Sequence, residues 1–517
     1  MVRKLLLLLA LLLPGVAHAA WVEASTTHFT VYSNDTPENV RAFATNLERF
    51  DKALRFLRNL ADEPVGMANR VTIFVVDDIP AIERLIGRQG VAGFYSPRAG
   101  NSVAFVPRDA GVGEVPLEYR EMVLNPRQIL LHEYTHHFLL SLSPNVAYPG
   151  WFVEGYAEFF ATAEFEPDGA VIVGRPPQYR VFGLFGENRL TVAKMLTADP
   201  NELTGEQRYL LYGRGWLLTH YLFLGGKRDG QLGAYFRALT DGKPASEAAQ
   251  AFGDLRALDS ELWAYKRTDF AAQRVAASVL PIGEVSVRTV SPAESATMLV
   301  RIRSTAGVDD RAAQSVYAAA KAACAPYPND PAAQRVLAEA AFDAKDFAGA
   351  EAAADRALAA DPQHVGAMLY KAMARMALAK QAGDATPATW TAIRRIIAAA
   401  NRIDTQNPAV LWLFYQSYLA AGQAPTAVAK QGLHYAYALA PQDRGLRFDS
   451  AEAHLRDGEL ALARPLLVTI AADPHAGNTT ARLAARIVAA IDAGHPEQAI
   501  AEIEKDRRER EARTNAP

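Results

Sequence analysis

Hydrophobic and polar positions along the first hundred residues predict a small sheet beside one long helix. Residues 27–33 alternate in polarity as a half-buried strand does, and residues 70–77 form an apolar run typical of a buried strand. Between them, residues 37–60 place apolar side chains at helical spacing, which predicts an amphipathic helix. Residues 91–107 predict a further pair of strands. Together these elements would form one wall of a cleft.

From residue 125 to about residue 272 the periodicity becomes mostly helical. Asn125 can cap a first turn, and Pro126 fits the first helical position. The apolar positions that follow have the spacing of a buried helix: Ile129, Leu130, Tyr134, Phe138 and Leu142. A proline–glycine pair then interrupts the pattern, and residues 151–163 predict a second helix that can run antiparallel to the first.

The C-terminal part is rich in alanine and repeats itself. Prolines at predicted helix entrances are separated by 31, 46, 33 and 33 residues, and the short spacings match the tetratricopeptide period: Pro331, Pro362, Pro408, Pro441 and Pro474. Residues 332–362 are the best copy, and the long interval predicts an inserted loop around residues 381–387. Residues 279–309, in which Pro281, Gly283 and Pro292 interrupt the pattern, predict the connection between the two parts.

The first 19 residues predict export of the chain. Two basic residues are followed by an apolar run over residues 5–13 and by the small-residue pattern Ala17-His18-Ala19, as in a cleavable signal peptide. No other apolar run approaches the length that spans a bilayer. The lone cysteine, Cys324, cannot form an internal disulfide. We therefore expect a periplasmic or secreted protein, stabilised by packing and without a membrane span.

Charge narrows the range of partners. The chain carries 54 basic and 57 acidic residues, a formal net charge of -3, and the two signs are interspersed. A nucleic-acid partner would normally require a basic face. The composition therefore argues against nucleic-acid binding.

The sequence H-E-Y-T-H at residues 132–136 carries the clearest chemistry. Two histidines four positions apart on a helix stand one turn above each other, so His132 and His136 can converge on one cation while Glu133 reaches beside it. A catalytic zinc normally keeps three protein ligands and leaves a fourth position open. Glu154, at the start of the second helix, is the candidate third ligand. Glu158 lies one turn further along the same face, where it can hold a ligating imidazole.

At these residues the sequence resembles the gluzincin metallopeptidases, the class that includes thermolysin-like and aminopeptidase N-like enzymes. The run W-F-V-E-G-Y-A-E-F at 151–159 is similar to the third-ligand segment of that class. The class also has a tyrosine that steadies the tetrahedral intermediate, and by resemblance Tyr212, in Y-L-L-Y-G-R-G-W, is its match, with Tyr209 as second choice. Residues 21–224 look like secreted bacterial peptidase-MA-like domains, several of which carry helical repeats behind the catalytic part.

The resemblance implies a fold in two parts. An α+β zincin-like catalytic domain, a small sheet plus a mostly helical part, would occupy residues 20–278. After the connection at 279–309, an all-α tetratricopeptide-like solenoid would occupy residues 310–517. Such a solenoid usually offers a concave protein-binding surface. Two interpretations of it stay open: it binds a protein partner or substrate, or it is structural, either a rigid spacer or a domain that packs on the catalytic domain and shields the cleft.

A second sequence feature bears on the type of cleavage. The segment with which aminopeptidases of this class hold the free amine of a substrate is missing upstream of His132. In its place residues 100–106 alternate in polarity and predict an exposed edge strand, which can bind an extended peptide through main-chain hydrogen bonds. This favours an endopeptidase over an aminopeptidase.

The implied function is an exported metallopeptidase that uses one Zn²⁺ per chain to hydrolyse a polypeptide substrate. Glu133 would act as the base toward the zinc-activated water, and Tyr212 would donate a hydrogen bond to the developing oxyanion. Neither His137 nor His220 has a predicted role. Two alternatives stay open: a non-catalytic envelope scaffold that binds partners through its repeats, and a zinc hydrolase of non-peptide amides.

Overall fold

A computed structural model describes residues 20–514, apart from residue 88 and the segments 110–122, 143, 187–189, 199–202 and 474–475. The predicted signal peptide, residues 1–19, and the last predicted repeat proline, Pro474, lie outside the described residues.

The strands of the described residues form two sheets: β1 (Val22–Ser25), β2 (Phe29–Ser33), β3 (Val71–Asp78), β4 (Phe94–Ser96), β5 (Val103–Asp109), β6 (Glu164–Phe165), β7 (Val171–Val173), β8 (Gln273–Val275) and β9 (Ser286–Thr289). The helices of the first part are α1 (Pro37–Leu57), α2 (Ile79–Ile86), α3 (Pro126–Leu142), α4 (Gly150–Ala161), α5 (Val181–Phe185), α6 (Val192–Thr197), α7 (Gly205–Leu224), α8 (Gln231–Thr240), α9 (Ala245–Ala248) and α10 (Leu255–Tyr265).

The helices of the second part follow in sequence: α11 (Pro292–Ala306), α12 (Asp310–Cys324), α13 (Pro331–Asp343), α14 (Phe347–Ala360), α15 (Val365–Gln381), α16 (Pro387–Ile403), α17 (Pro408–Ala420), α18 (Ala427–Leu439), α19 (Arg444–Arg456), α20 (Leu460–Ala472), α21 (Asn478–Asp492) and α22 (Pro496–Thr514). Among the described residues, no helix combines the length and the apolar character needed to cross a membrane.

The larger sheet has the strand order β4-β5-β3-β2-β1-β9, with β2, β3 and β5 parallel and the other pairs antiparallel. The prediction of an exposed edge strand at 100–106 is wrong, because β5 lies between β3 and β4. Its residues Val103 to Val106 are at most 2% exposed, so the segment is a continuous buried run, as expected of an interior strand. Among the described strands, β4 stands at the edge on this side of the sheet.

Helices cover both faces of this sheet. On one face, α1 and α3 pack against Ile73, Ala104 and Val106 in the largest apolar cluster. On the other face, Phe74 and Phe105 pack against Ile82 of α2 and against two side chains of α11, which are Met298 and Ile302. The sheet is therefore the middle layer of three, and α11 belongs to its outer layer.

The segment 279–309 is not an irregular connection. Strand β9 pairs with β1 through the register Val22↔Thr289 to Ser25↔Ser286 and extends the sheet. Pro292 begins α11, and Ser291 and Glu294 form a capping box at its N-terminus, so this proline marks the first turn of a helix. The prolines and the glycine of the segment thus delimit regular elements.

From α11 onward the chain consists of antiparallel helix pairs, as the proline spacing predicts. Pro331 and Pro408 begin α13 and α17, and small side chains at the helix contacts are fully buried: Ala338, Ala341, Ala350, Ala353, Ala354 and Ala357. Small side chains allow neighbouring helices to approach closely. The predicted loop at 381–387 is present, because α15 ends at Gln381 and α16 begins at Pro387. The two helices it joins are long, with 17 residues each.

Candidate metal centre

Helix α3 begins where the sequence predicts, because Asn125 and Gln128 cap it reciprocally. The Asn125 side chain accepts from the Gln128 amide at 3.0 Å, and the Gln128 side chain accepts from the Asn125 amide at 3.0 Å. The helix buries its apolar positions against the sheet and α1. This fixes the rotation of the helix and turns His132 and His136 toward α4.

His132, His136 and Glu154 lie together between α3 and α4. The Nε2 atoms of the two histidines are 3.1 Å apart, and Oε2 of Glu154 lies 3.3 Å from Nε2 of His132 and 3.7 Å from Nε2 of His136. Two ligand atoms at about 2 Å from one tetrahedral zinc are separated by about 3.3 Å. The separations and the donor set, two imidazole nitrogens and one carboxylate oxygen, fit a zinc ion with an open fourth position.

Glu158 lies behind His132 and is fully buried. Its Oε1 is 3.5 Å from Nδ1 of His132 and accepts two hydrogen bonds from Arg180, from Nε at 3.0 Å and from Nη2 at 2.7 Å. A buried carboxylate needs such a charge partner. The arrangement matches the carboxylate that usually orients a metal-binding imidazole, and Arg180 is the site residue that sequence reasoning missed.

The electrostatic field at His132 favours positive charge. Burial is the largest single influence and acts to lower the pKa of His132, but the hydrogen bond with Glu154 and the charges of Glu158, Glu154 and Glu133 outweigh it and raise the pKa. The carboxylates of Glu154, Glu158 and Glu133 therefore all act on the His132 imidazole. The same field favours a bound cation.

Tyr212 of α7 closes one side of the centre. Its ring lies 6.1 Å from the His132 ring, centroid to centroid, and the Arg180 guanidinium stands 4.5 Å from the centre of the Tyr212 ring. The charge of Glu154, together with burial, raises the pKa of Tyr212, so its hydroxyl keeps its proton at neutral pH. The second choice, Tyr209, is 44% exposed.

A close helix crossing holds Tyr212 and Glu154 near each other. A Cβ atom added to Gly155 of α4 would lie 2.3 Å from the backbone carbon of Gly215 of α7. The two backbones are therefore in direct contact, which only glycine permits. The crossing lies one residue from Glu154 and three from Tyr212.

Glu133 stands on the same helix as the two histidines and is half-buried. Its negative charge contributes to the raised pKa of both His132 and Tyr212. Its carboxylate is thus within electrostatic reach of both groups, as a base in this cleft must be.

The other two histidines noted in the sequence have packing contacts. His137 lies 2.6 Å, through Nδ1, from the hydroxyl of Tyr95 on β4. Burial lowers the pKa of His137 to about 3, so it is neutral and accepts from that hydroxyl. His220 lies 2.8 Å from the Tyr265 hydroxyl and 2.9 Å from the Ala271 carbonyl.

A second group of potential ligands, His28, Asp51 and Asp62, lies on the far side of α3. Asp51 and Asp62 are each paired with a cationic side chain of α1, and Asp51 also accepts a hydrogen bond from Tyr134 of α3 at 2.6 Å. Their charges are already balanced by protein cations. This group joins α1 to the underside of the helix that carries the two metal-centre histidines.

Comparisons with known proteins give no family. No family model matches the sequence, and no curated protein matches it either. Among solved structures, the chain is similar to a thermophilic TPR protein of Thermus thermophilus, with 20% identity and a TM-score of 0.30 over 37% of this chain and 94% of that chain. It is also similar to a MamA RS-1 ArsTM double mutant, with 14% identity and a TM-score of 0.27 over 38% of this chain and 96% of that chain.

Proposed function

We propose that this chain is an exported zinc metallopeptidase that cleaves internal bonds of extended polypeptides. The observation that carries the proposal is the convergence of His132, His136 and Glu154 from two helices at the separations of a tetrahedral donor set, with Glu133 beside them. These three side chains would hold the zinc. When bound, the ion supplies a Lewis acid for a peptide carbonyl and acidifies a water molecule.

The side chains around the metal position each have a separate role in the proposed reaction. Glu133 takes the proton of the attacking water as general base and later delivers it to the departing amine. Tyr212, whose raised pKa keeps it protonated, donates a hydrogen bond to the oxyanion that develops on the carbonyl. Glu158 fixes the ring of His132, and Arg180 balances the charge of Glu158.

Strand β4 supports binding of an extended substrate. Within the described residues it pairs with β5 on one side only, and Tyr95 joins it to the helix that carries His132 and His136. A polypeptide can add to such an edge through main-chain hydrogen bonds, without using either of its ends. This favours cleavage within a chain over removal of terminal residues.

The test is metal analysis combined with cleavage of an unfolded protein such as casein. We expect about one zinc per mature chain, cleavage that a chelator abolishes, and a loss of about 10²–10⁴-fold in kcat for Glu133→Gln with zinc retained. Glu38→Gln, an exposed residue at the start of α1, is the matched control. Full activity in Glu133→Gln, or a protein that does not bind zinc, contradicts the proposal.

A further inference from the structure

The helical repeats touch the catalytic half at the connection that follows edge strand β4. This connection, residues 97–102, leads from β4 into β5 and lies against the N-terminal ends of α17 and α19. Ala99 packs against a buried apolar cluster of the repeats that includes Tyr415 of α17 and Leu446 of α19, and a Cβ atom on Gly100 would lie 3.5 Å from that of Ala409. The repeats therefore surround the connection closely.

Gln442, just before α19, is the polar centre of this contact and is only 7% exposed. Its Nε2 donates to Oγ of Ser102 at 3.2 Å and to the carbonyl oxygen of Arg98 at 3.4 Å. Its Oε1 lies 3.4 Å from Oγ of Ser141, on the last turn of α3. One side chain of the repeats thus contacts both the β4–β5 connection and the helix that carries the metal-centre histidines.

Strand β4 and helix α3 are also connected by contacts that lie entirely within the catalytic half. The hydroxyl of Tyr95 on β4 lies 2.6 Å from Nδ1 of His137, and Nε2 of His137 lies 3.4 Å from Oγ of Ser141. Ser102 Oγ also accepts from the Arg98 amide at 3.1 Å. Strand β4, helix α3 and the residue before α19 therefore meet in one cluster of polar side chains.

Asp443 adds a backbone contact beside this cluster. Its carboxylate caps α19 by accepting from the Leu446 amide at 2.7 Å and also accepts a hydrogen bond from the Ala99 amide. A helix cap of the repeats is thereby shared with the connection after β4.

We infer that Gln442 is a positioning residue: it fixes edge strand β4 against helix α3, so that the repeats at α17–α19 form one wall of the substrate cleft. This inference rests on the proposed function only where it treats β4 as the edge that binds substrate. It assigns the repeats a role within the cleft itself. Of the two interpretations of the solenoid, it selects packing on the catalytic half.

The first measurement is hydrogen–deuterium exchange on the full-length protein, which needs no catalytic activity. In Gln442→Ala we expect amides of residues 91–103 to exchange about tenfold faster, the factor that corresponds to about one lost hydrogen bond, with no change in β2 and β3. Ser102→Ala removes the Gln442–Ser102 bond from the other side, together with the bond from the Arg98 amide, and should also speed exchange over residues 91–103. The effects of the two substitutions should be less than additive in the double variant, because the two side chains share one bond.

The matched control is Gln334→Ala. Gln334 is 2% exposed and donates to the Tyr327 carbonyl at 3.1 Å, so its loss weakens the repeats alone. It should leave exchange over residues 91–103 unchanged. Unchanged exchange there in Gln442→Ala overturns the inference, and so does a faster exchange spread evenly over the whole chain.

The second measurement is steady-state cleavage of casein. A positioning role predicts that Gln442→Ala raises KM about tenfold with kcat within about twofold, because strand β4 would bind substrate without touching the reacting atoms. A tenfold loss in kcat with unchanged KM would overturn the positioning role of Gln442. If the unmodified protein cleaves nothing, the proposed function fails, while the exchange data still decide whether Gln442 holds β4.

Discussion

Tyr209 and Tyr212 stand three positions apart on α7, and their surroundings differ completely. Tyr212 lies against His132 and Arg180, whereas the side chain of Tyr209 is 44% exposed. Residues three apart on a helix point to neighbouring but distinct directions, so the packing of α7 on α4 decides which of them enters the cleft. The sequence resemblance only ranks Tyr212 above Tyr209 as a candidate, whereas the fold places Tyr212 beside His132 and leaves Tyr209 exposed.

This pair gives a matched test of the oxyanion donor. Tyr212→Phe removes one hydroxyl and keeps the ring under Arg180, so we expect kcat to fall about 10²-fold or more with zinc content and KM little changed. Tyr209→Phe should retain full activity. Equal rates in the two variants would show that the Tyr212 hydroxyl does not act on the oxyanion.

Glu158 offers a test of the metal centre that does not depend on turnover. Glu158→Gln removes the negative charge behind His132, and the loss of such a supporting carboxylate costs about 10–100-fold in metal affinity. Competition with a chelator of known affinity measures this change in zinc Kd. Glu166→Gln, at an exposed ion pair with Arg274, is the control and should keep the original Kd. An unchanged Kd in Glu158→Gln would contradict the assigned role.

The residues predicted from sequence are those whose relative positions follow from local geometry. His132 and His136 share one helix, so their spacing alone brings them together, and Glu154 requires only that the next helix return antiparallel. Arg180 had no such signal. It comes from a short turn 22 residues beyond Glu158, and only the tertiary fold places it there.

At the scale of elements, the α4–α7 crossing determines the shape of the site. Gly155→Ala places a methyl group 2.3 Å from the backbone of Gly215, so the helices must separate. We expect a loss of about 1–3 kcal/mol in the free energy of unfolding, or more because backbone cannot move aside easily, measured by urea denaturation. Separation of the helices would also draw Glu154 away from Tyr212 and weaken zinc binding.

Gly205→Ala, on the same helix α7, is the control for that experiment. An added Cβ atom there meets nothing within 4 Å, and the residue is at the first helical position. Its effect on stability should be small or favourable, because alanine restricts the unfolded chain more than glycine does. A Gly155→Ala variant as stable as Gly205→Ala would contradict the close crossing.

The order of the strands in the larger sheet could not be predicted from the sequence. The apolar run Val103 to Val106 is compatible with an edge or an interior strand until its partners are known, since pairing is not a local property. The true edge, β4, has only three residues, all half-buried, and gives too short a pattern to recognise. Strand β9 was hidden in the same way within a segment punctuated by prolines and a glycine.

At the scale of the whole molecule, the sheet depends on residues beyond 278. Strand β9 covers the open edge of β1, and α11 places Met298 and Ile302 on the sheet face that contains Phe74 and Phe105. An exposed strand edge and an exposed apolar face both promote association. Strand β9 and α11 therefore pack with the first half of the protein, although both lie beyond residue 278.

A pair of truncated chains tests this dependence. A chain of residues 20–278 would expose the face that contains Phe74 and Phe105, and we expect it to aggregate on size-exclusion chromatography. A chain of residues 20–308 keeps β9 and α11 and should aggregate less than the 20–278 chain, with cooperative thermal unfolding and zinc binding. It lacks Gln442, so exchange over residues 91–103 should be faster than in the full-length protein. A monomeric 20–278 chain with the Tm of the 20–308 chain would show that β9 and α11 are dispensable, because the sheet would then need neither its sixth strand nor its outer helix.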